Sequence, residues 1–321
     1  MLPSTTFFMG APLPAPGRGG RLFLLGASLL LGGCLHPFKQ TFSSSHEVRF
    51  TEVNGFADMA EAVYEEEATI RSVCARAGYA EVVVKSFPDR DTRYFLATDT
   101  TTHRHLIAVQ GTANMKNALL DLEYDKTKDP LIQIHLHHGF QAAAQSLYND
   151  AKGRMNKGDS VSLTGHSLGG AEAVILAMYL KTEGWKVDRV ITFGQPKVTD
   201  ADGAKAFRGL PLLRVVNVND PVPLVPPLEI KFIKKPYTHL GAEVTLLDGP
   251  SYSYLEDGNN ADGAGLAFWD SLKSKDQVKQ NLSQHYMATY RANLLPKLLN
   301  AEEVPYADRM DHFHVEPSTA P

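Results

Sequence analysis

The sequence predicts an α/β protein, in which one domain is built on a mostly parallel sheet with helices on both faces. The first observation is an alternation of short apolar runs of strand length with longer runs of helix length. The second is composition, because 43% hydrophobic and 21% charged residues are typical of a globular chain rather than a disordered one. The third is length, since 321 residues can bury a sizeable core.

The first half of the chain begins with a helix and continues with strands. Residues 56–77 carry apolar side chains at helical spacing, and Gly78 marks the end of that helix. Three runs of strand character follow so closely that they could pair antiparallel: 80–87, 92–97 and 105–110. After the short apolar run 131–136, residues 139–155 are predicted to form a helix.

The second half alternates strands and helices more regularly. Residues 169–181 predict a strongly apolar helix that ends before Gly184, and residues 284–299 predict the last helix. The predicted strands are short and apolar: 160–164, 189–193, 212–218 and 243–247. This order favours parallel pairing, because parallel strands are joined by helical crossovers.

The first 33 residues are typical of an export signal. Arg18 and Arg21 precede the apolar run 22–31, which is about half of the ~20 residues that span a bilayer. Leu31-Gly32-Gly33-Cys34 resembles a bacterial lipobox, in which the cysteine is lipidated and becomes the mature N-terminus. We therefore predict lipid attachment at Cys34, with a plain cleavable signal or an uncleaved anchor as the alternatives.

The predicted organisation follows from that signal: export signal 1–33, tether 34–50, folded domain 51–300 and polar tail 301–321. Leu35 stands where inner-membrane retention signals usually have Asp, so we expect a bacterial cell envelope lipoprotein of the outer membrane, anchored by its N-terminal lipid. The formal net charge of -4 leaves no basic excess for nucleic acid. No protein partner is predicted.

One motif points to nucleophilic catalysis. Residues 161–170 read V-S-L-T-G-H-S-L-G-G, which is a strand, then G-x-S-x-G, then a helix. Such a sharp turn presents the hydroxyl of Ser167 to a base. Gly165 and Gly169 leave room for the crowded backbone, and the helix N-terminus adds positive potential where negative charge develops.

A nucleophilic serine needs a base and an acid that orients it, and in this architecture the acid precedes the histidine along the chain. Asp220 is the best acid, because it follows the carboxyl end of a predicted strand, where the sites of parallel sheets collect. The histidines after it are His239, His285, His312 and His314. Sequence order alone does not choose among them.

Several further segments stand around the serine motif in a characteristic order. They are Gln110-Gly111-Thr112, His138-Gly139-Phe140, Thr192-Phe193-Gly194-Gln195-Pro196, the acid-bearing segment 214–223, Tyr237-Thr238-His239-Leu240-Gly241 and the surroundings of His285. Together they resemble the class 3 lipases, the fungal-type triacylglycerol lipase family, over about residues 105–291. The resemblance implies an α/β-hydrolase fold with a mostly parallel central sheet and helices on both faces.

The resemblance also implies the roles of the candidate residues. The catalytic triad is Ser167, Asp220 and His285, and the oxyanion hole is formed by Thr112 and the N–H of Leu168, with Asp121 supporting the Thr112 hydroxyl. His239 matches a non-catalytic position. Many family members carry a lid helix with an apolar Trp where Ala118 stands here, which leaves interfacial activation open. A lid remains plausible because an apolar set is still present: Met115, Leu119, Leu120 and Leu122.

The expected function is that of a serine carboxylester hydrolase acting on lipid esters through an acyl-enzyme, without cofactor or metal. His135, His137 and His138 are interpreted as exposed or hydrogen-bonded strand histidines rather than zinc ligands. The alternatives are a phospholipase A1 or short-chain esterase on the same fold and, from another class, a non-catalytic envelope lipoprotein.

Overall fold

The computed structural model describes residues 47–112, 125–226, 235–257 and 282–313. The helices in these ranges are α1 (Phe50–Ala62), α2 (Glu67–Arg76), α3 (His138–Ala151), α4 (Leu168–Thr182), α5 (Ala201–Ala206) and α6 (Met287–Leu299). The predicted signal, most of the tether with Cys34, the lid position Ala118, the candidate support Asp121 and the histidine His314 lie outside the described residues.

The strands form two sheets. They are β1 (Glu81–Phe87), β2 (Thr92–Asp99), β3 (Arg104–Val109), β4 (Lys126–Lys128), β5 (His135–His137), β6 (Ser160–His166), β7 (Lys186–Phe193), β8 (Thr199–Asp200), β9 (Leu212–Asn217), β10 (Tyr237–Thr238), β11 (Ala242–Leu246), β12 (Ser251–Leu255) and β13 (Glu302–Glu303). The main sheet has the order β1-β2-β3-β6-β7-β9-β11-β12-β13, and the smaller sheet has the order β10-β8-β5-β4.

The centre of the main sheet is parallel. Strands β3, β6, β7, β9 and β11 are neighbours and all run in one direction. Strands β1, β2 and β3 pair antiparallel, as their close succession along the chain suggested. These pairings confirm the predicted fold class. Because the central strands are parallel, their carboxyl ends meet at one edge of the sheet.

Both faces of the sheet are covered by helices. On β3, Ile107 and Val109 pack with α3 and α4, whereas Leu106 and Ala108 pack with α1 and α2. Further along the sheet, β7, β9 and β11 pack against α1 and α6. Helix α4 is buried along nearly its whole length, which explains why its sequence is apolar on every side.

The first predicted helix is instead two helices, a correction to the 56–77 interpretation. Helix α1 begins already at Phe50, and the chain leaves helical geometry before α2 begins at Glu67. The guanidinium of Arg93 donates to the carbonyl groups of Val63 and Glu65 at this break. The spacing of apolar residues along this segment does not reveal the break, because the hydrogen-bond donor at the break, Arg93, lies in the distant strand β2.

Part of the segment expected as a polar tail is folded. Within 301–313, β13 pairs with β12, and a 3₁₀ helix covers Tyr306–His312. The side chains are polar, but the backbone groups of Glu302 and Val304 donate to Pro250 and Tyr252.

Among the described residues, no helix is both long and apolar enough to cross a bilayer.

Candidate active site

Ser167 lies at a sharp turn between β6 and α4. Its φ of 59° and ψ of -131° are a strained combination for a residue with a side chain. Two backbone bonds hold it there: its N–H donates to Phe193 at 2.9 Å, and its carbonyl accepts from the N–H of Gly170 at 3.0 Å. This is the geometry that holds a nucleophile at a fixed position above a sheet.

The two glycines of the serine motif are required by close backbone contacts. A Cβ at Gly165 would lie 2.4 Å from the carbonyl oxygen of Gly169. A Cβ at Gly169 would lie 2.4 Å from the carbonyl oxygen of Val109, at the end of β3. The first turn of α4 therefore packs directly on the ends of β6 and β3, and any larger residue would push the turn away.

Asp220 and His285 form a buried pair. Asp220 follows β9, and His285 ends a 3₁₀ helix immediately before α6. The Nδ1 of His285 lies 2.7 Å from Oδ2 of Asp220, and both side chains are inaccessible to solvent. A carboxylate accepts hydrogen bonds, so Nδ1 carries the proton and Nε2 is left as the basic atom. That Nε2 has no hydrogen-bond partner within the described part of the chain.

Further donors orient the Asp220 carboxylate. The hydroxyl of Tyr290 in α6 donates to Oδ2 at 2.6 Å, and the N–H of Val222 donates to Oδ1 at 2.9 Å. The Tyr290 oxygen itself accepts from the N–H of Asn217. Burial and the neighbouring carboxylate raise the pKa of Tyr290 well above its usual value, so the hydroxyl remains a donor. Sequence reasoning did not identify Tyr290.

Gly194 makes space for this pair. Its φ is +57°, and a Cβ there would lie 2.8 Å from Oδ2 of Asp220 and 2.8 Å from Cε1 of His285. The residue follows β7 within the Thr-Phe-Gly-Gln-Pro segment. The glycine of that segment is therefore explained by the carboxylate and imidazole packed against it.

Thr112 and Leu168, the candidate oxyanion residues, are close to Ser167 along the chain or through a neighbouring residue. Leu168 opens α4, whose first N–H groups have no partners within the helix. Thr112 follows Gly111, and a Cβ on that glycine would lie 3.1 Å from the Cβ of Ser167. The hydroxyl of Thr112 donates to Asp91 at 2.7 Å.

Asp91 was not singled out by the sequence analysis, which assigned this support to Asp121. It lies between a 3₁₀ turn and β2 with a φ of 48°, in the left-handed region that Asp tolerates better than most residues. Asp121 is outside the described residues, so its proposed role stays a prediction. Asp91 is the acceptor that the structure places at the Thr112 hydroxyl.

His239 is hydrogen-bonded to a backbone carbonyl, whereas Asp220 is bonded to His285. The Nε2 of His239 donates to the carbonyl of Pro223 at 2.6 Å, and its ring is buried. Burial, followed by the nearby Arg214 and Lys197, lowers its pKa well below the usual value, so it is neutral. His312 is exposed at the end of the last 3₁₀ helix.

A buried carboxyl group, that of Glu172, lies near Asp91. Glu172 in α4 accepts from the hydroxyl of Thr92 at 2.6 Å. Burial raises the pKa of Glu172 from 4.5 to about 8, with the Thr92 bond opposing the shift and Asp91 adding to it. The side chain is therefore protonated at neutral pH, next to the aspartate that holds Thr112.

The side chains of the candidate nucleophile and base are buried. Ser167 and His285 are both 0% exposed. The three histidines considered for a metal have other surroundings: His137 caps α3 by accepting from the N–H of Phe140, His135 lies 4.0 Å from Asp200, and His138 is exposed. In the described ranges, no group of three or more His, Cys, Asp or Glu is arranged to hold a metal ion.

Comparison with known proteins agrees with this architecture. Residues 106–230 match the family model for lipase (class 3). The secreted mono- and diacylglycerol lipase 1 of Fusarium solani is 29% identical over 172 residues, which are 49% of this chain and 48% of the relative. The chain spans about half the length of the curated relatives it matches.

Solved lipase structures have a fold similar to that of this chain. A lipase from Rhizopus microsporus var. chinensis superposes with a TM-score of 0.57 at 18% identity, covering 75% of this chain and 85% of its own. A triacylglycerol lipase whose catalytic centre is formed by a serine protease triad superposes with a TM-score of 0.52 at 23% identity, covering 62% and 80%. Residues 106–230 are therefore similar to the class 3 lipases, and the chain has the α/β-hydrolase fold of these solved lipases.

Proposed function

We propose that this protein is a serine carboxylester hydrolase that cleaves lipid esters, with Ser167, Asp220 and His285 as its catalytic triad. The observation that carries the proposal is the buried pair in which Asp220 accepts the Nδ1 proton of His285 and leaves Nε2 basic. The strained turn that holds Ser167 supplies a nucleophile in the same architecture. The similar lipases, one of them with a serine protease triad, support the assignment.

The proposed reaction is acyl transfer to serine. Nε2 of His285 accepts the Ser167 hydroxyl proton while the oxygen attacks the ester carbonyl, and it then donates that proton to the leaving alcohol. Asp220 keeps the imidazole in the required tautomer and stabilises the transient imidazolium. Water then repeats the cycle on the acyl-enzyme, releasing the fatty acid and the free serine.

The negative charge of the tetrahedral intermediate needs two donors, which we assign to the N–H groups of Leu168 and Thr112. The single proton of the Thr112 hydroxyl is already donated to Asp91, so its backbone N–H is the group that remains to bind the oxyanion. Each such donor contributes about 3 kcal/mol of transition-state stabilisation. The N-terminus of α4 adds positive potential at the same point.

The experiment for this function is a comparison of substrates with a matched inactive variant. The wild type should hydrolyse p-nitrophenyl butyrate, and Ser167→Ala should fold and be inactive. Tributyrin, a long-chain triacylglycerol and phosphatidylcholine then separate a triacylglycerol lipase from a short-chain esterase and from a phospholipase A1. A wild type that cleaves none of these esters would favour the non-catalytic alternative.

We also propose that the protein is exported and anchored to the membrane of a bacterial cell envelope by a lipid at Cys34. The proposal rests on the sequence of residues 1–46, and the secreted relative from Fusarium solani supports export. A stable anchor needs more than one acyl chain, which envelope lipoproteins carry. A palmitate analogue should label the wild type and not Cys34→Ser, whereas labelling of both would contradict attachment at this cysteine.

A further inference from the structure

A chain of hydrogen bonds joins the loop after β3 to the turn at Ser167 and to His285. The N–H of Gly111 donates to the hydroxyl oxygen of Tyr64 at 2.9 Å. That hydroxyl lies 3.0 Å from Nδ1 of His166, and Nε2 of His166 lies 2.6 Å from the backbone carbonyl of His285. Three separate parts of the candidate site are therefore linked through two side chains, Tyr64 and His166.

The direction of each bond follows from the chemistry of its ends. A carbonyl oxygen only accepts, so Nε2 of His166 carries a proton. The ring is buried against His285, and both effects lower the pKa of His166 well below its usual value, so the ring is neutral and Nδ1 has no proton. Tyr64 must then donate to Nδ1, and its oxygen is free to accept from Gly111.

The position of Tyr64 depends on the break between α1 and α2. Arg93 binds the carbonyl groups on both sides of it, those of Val63 and Glu65. The approach of Tyr64 to the loop is close, because a Cβ on Gly111 would lie 2.6 Å from the tyrosine oxygen. A continuous helix through this segment would place the hydroxyl elsewhere.

The neutrality of His166 matters for the neighbouring base. The centroids of the His166 and His285 rings are 4.5 Å apart. In the proposed reaction His285 becomes positively charged, and a charged neighbour at that distance would oppose protonation. A neutral His166 instead donates to the backbone of His285 without adding charge.

We infer that Tyr64 and His166 are positioning residues, which set the oxyanion loop and the His285 backbone relative to Ser167. The inference rests on the proposed ester hydrolase function. Neither side chain acts on the ester itself. Tyr64 fixes the loop that carries Thr112, and it fixes the tautomer in which His166 can hold His285.

The first test removes only the Tyr64 hydroxyl. Tyr64→Phe should lower kcat for p-nitrophenyl butyrate by at least about 10-fold, because two buried partners lose their bond, while KM changes by less than about 2-fold. Tyr94→Phe is the matched control, since Tyr94 is buried and donates to Asp150 outside the site. Equal kcat values for Tyr64→Phe and the wild type would overturn the inference, whereas an inactive wild type would refute the proposed function instead.

The second test does not depend on enzymatic activity. ¹⁵N NMR of the wild type should show His166 neutral, with its proton on Nε2, at about pH 6.5, where an ordinary imidazole is half protonated. In Tyr64→Phe the tautomer preference of His166 should weaken, and the Nδ1 proton signal of His285 should shift. A His166 that is charged, or protonated on Nδ1 in the wild type, would overturn the inference.

Discussion

Gly194→Ala tests whether the Asp220–His285 pair depends on the space beneath it. The new methyl group would lie 2.8 Å from Oδ2 of Asp220 and 2.8 Å from Cε1 of His285. Ordinary contact distances are about 3.5 Å, so carboxylate and imidazole must move by about 0.7 Å or the backbone must shift. The 2.7 Å bond between the pair cannot keep its geometry through such a movement.

The expected loss separates into two parts. Ala at a φ of +57° costs about 1–2 kcal/mol of folding free energy, because the left-handed region is unfavourable for a residue with a Cβ. A displacement of the base approaching 1 Å can reduce turnover by about 100-fold. Gly249 has a φ of +55° with nothing within 4 Å of its added Cβ, so Gly249→Ala has the strain without the clash.

The assay compares kcat on p-nitrophenyl butyrate and urea unfolding for both variants. Both should lose the stability that the backbone strain costs, Gly194→Ala should lose more because of the clash, and only Gly194→Ala should lose about 100-fold in kcat. If Gly194→Ala keeps a kcat within about 3-fold of Gly249→Ala, the packing of this glycine against the pair does not matter for turnover and the reasoning fails.

Three further predictions concern the other groups of the site. His285→Ala should lower kcat by about four to six orders of magnitude. His239→Ala should lower kcat by less than about 10-fold, since His239 is hydrogen-bonded to a backbone carbonyl. The reverse ranking would assign the role of the base to His239. Asp91→Asn should lower kcat by about 10- to 100-fold and Asp121→Asn by less, because Asp91 accepts the hydrogen bond from the Thr112 hydroxyl. A larger loss in Asp121→Asn would assign the support of Thr112 to Asp121. The wild type should lose stability as pH rises from about 4.5 to about 8, because native Glu172 keeps a proton that the unfolded chain releases; the full pKa shift corresponds to at most about 5 kcal/mol. In urea unfolding, Glu172→Gln should flatten this pH dependence. An unchanged pH dependence in the variant would contradict the raised pKa of Glu172.

The elements that depend on local pattern were predictable from the sequence. The turn at Ser167 was predictable because its strand, glycines and helix are consecutive, and the position of Asp220 followed from the strand that precedes it. The family resemblance chose His285 over His239, and the structure places His285 beside Asp220. Its catalytic role stays a prediction until it is tested.

The partners of these residues were not predictable, because they come from distant parts of the chain. Asp91 precedes Thr112 by 21 residues, and Tyr64 precedes His166 by 102. Tyr290 has the spacing of an ordinary buried helix residue, and only the fold brings its hydroxyl to Asp220. The break after α1 was not predictable for the same reason, since the side chain that donates to its carbonyl group of Val63 is Arg93 in β2.

The most direct test of the central claim is covalent trapping of the nucleophile. A fluorophosphonate reacts with a serine only where a base activates it and an oxyanion hole binds the product. Peptide mapping by mass spectrometry should find the wild type modified once, at Ser167, with loss of ester hydrolysis in proportion. Ser167→Ala should be neither labelled nor active, with an unchanged unfolding transition. Modification at another residue, or hydrolysis that persists in Ser167→Ala, would contradict the assignment of Ser167 as the nucleophile.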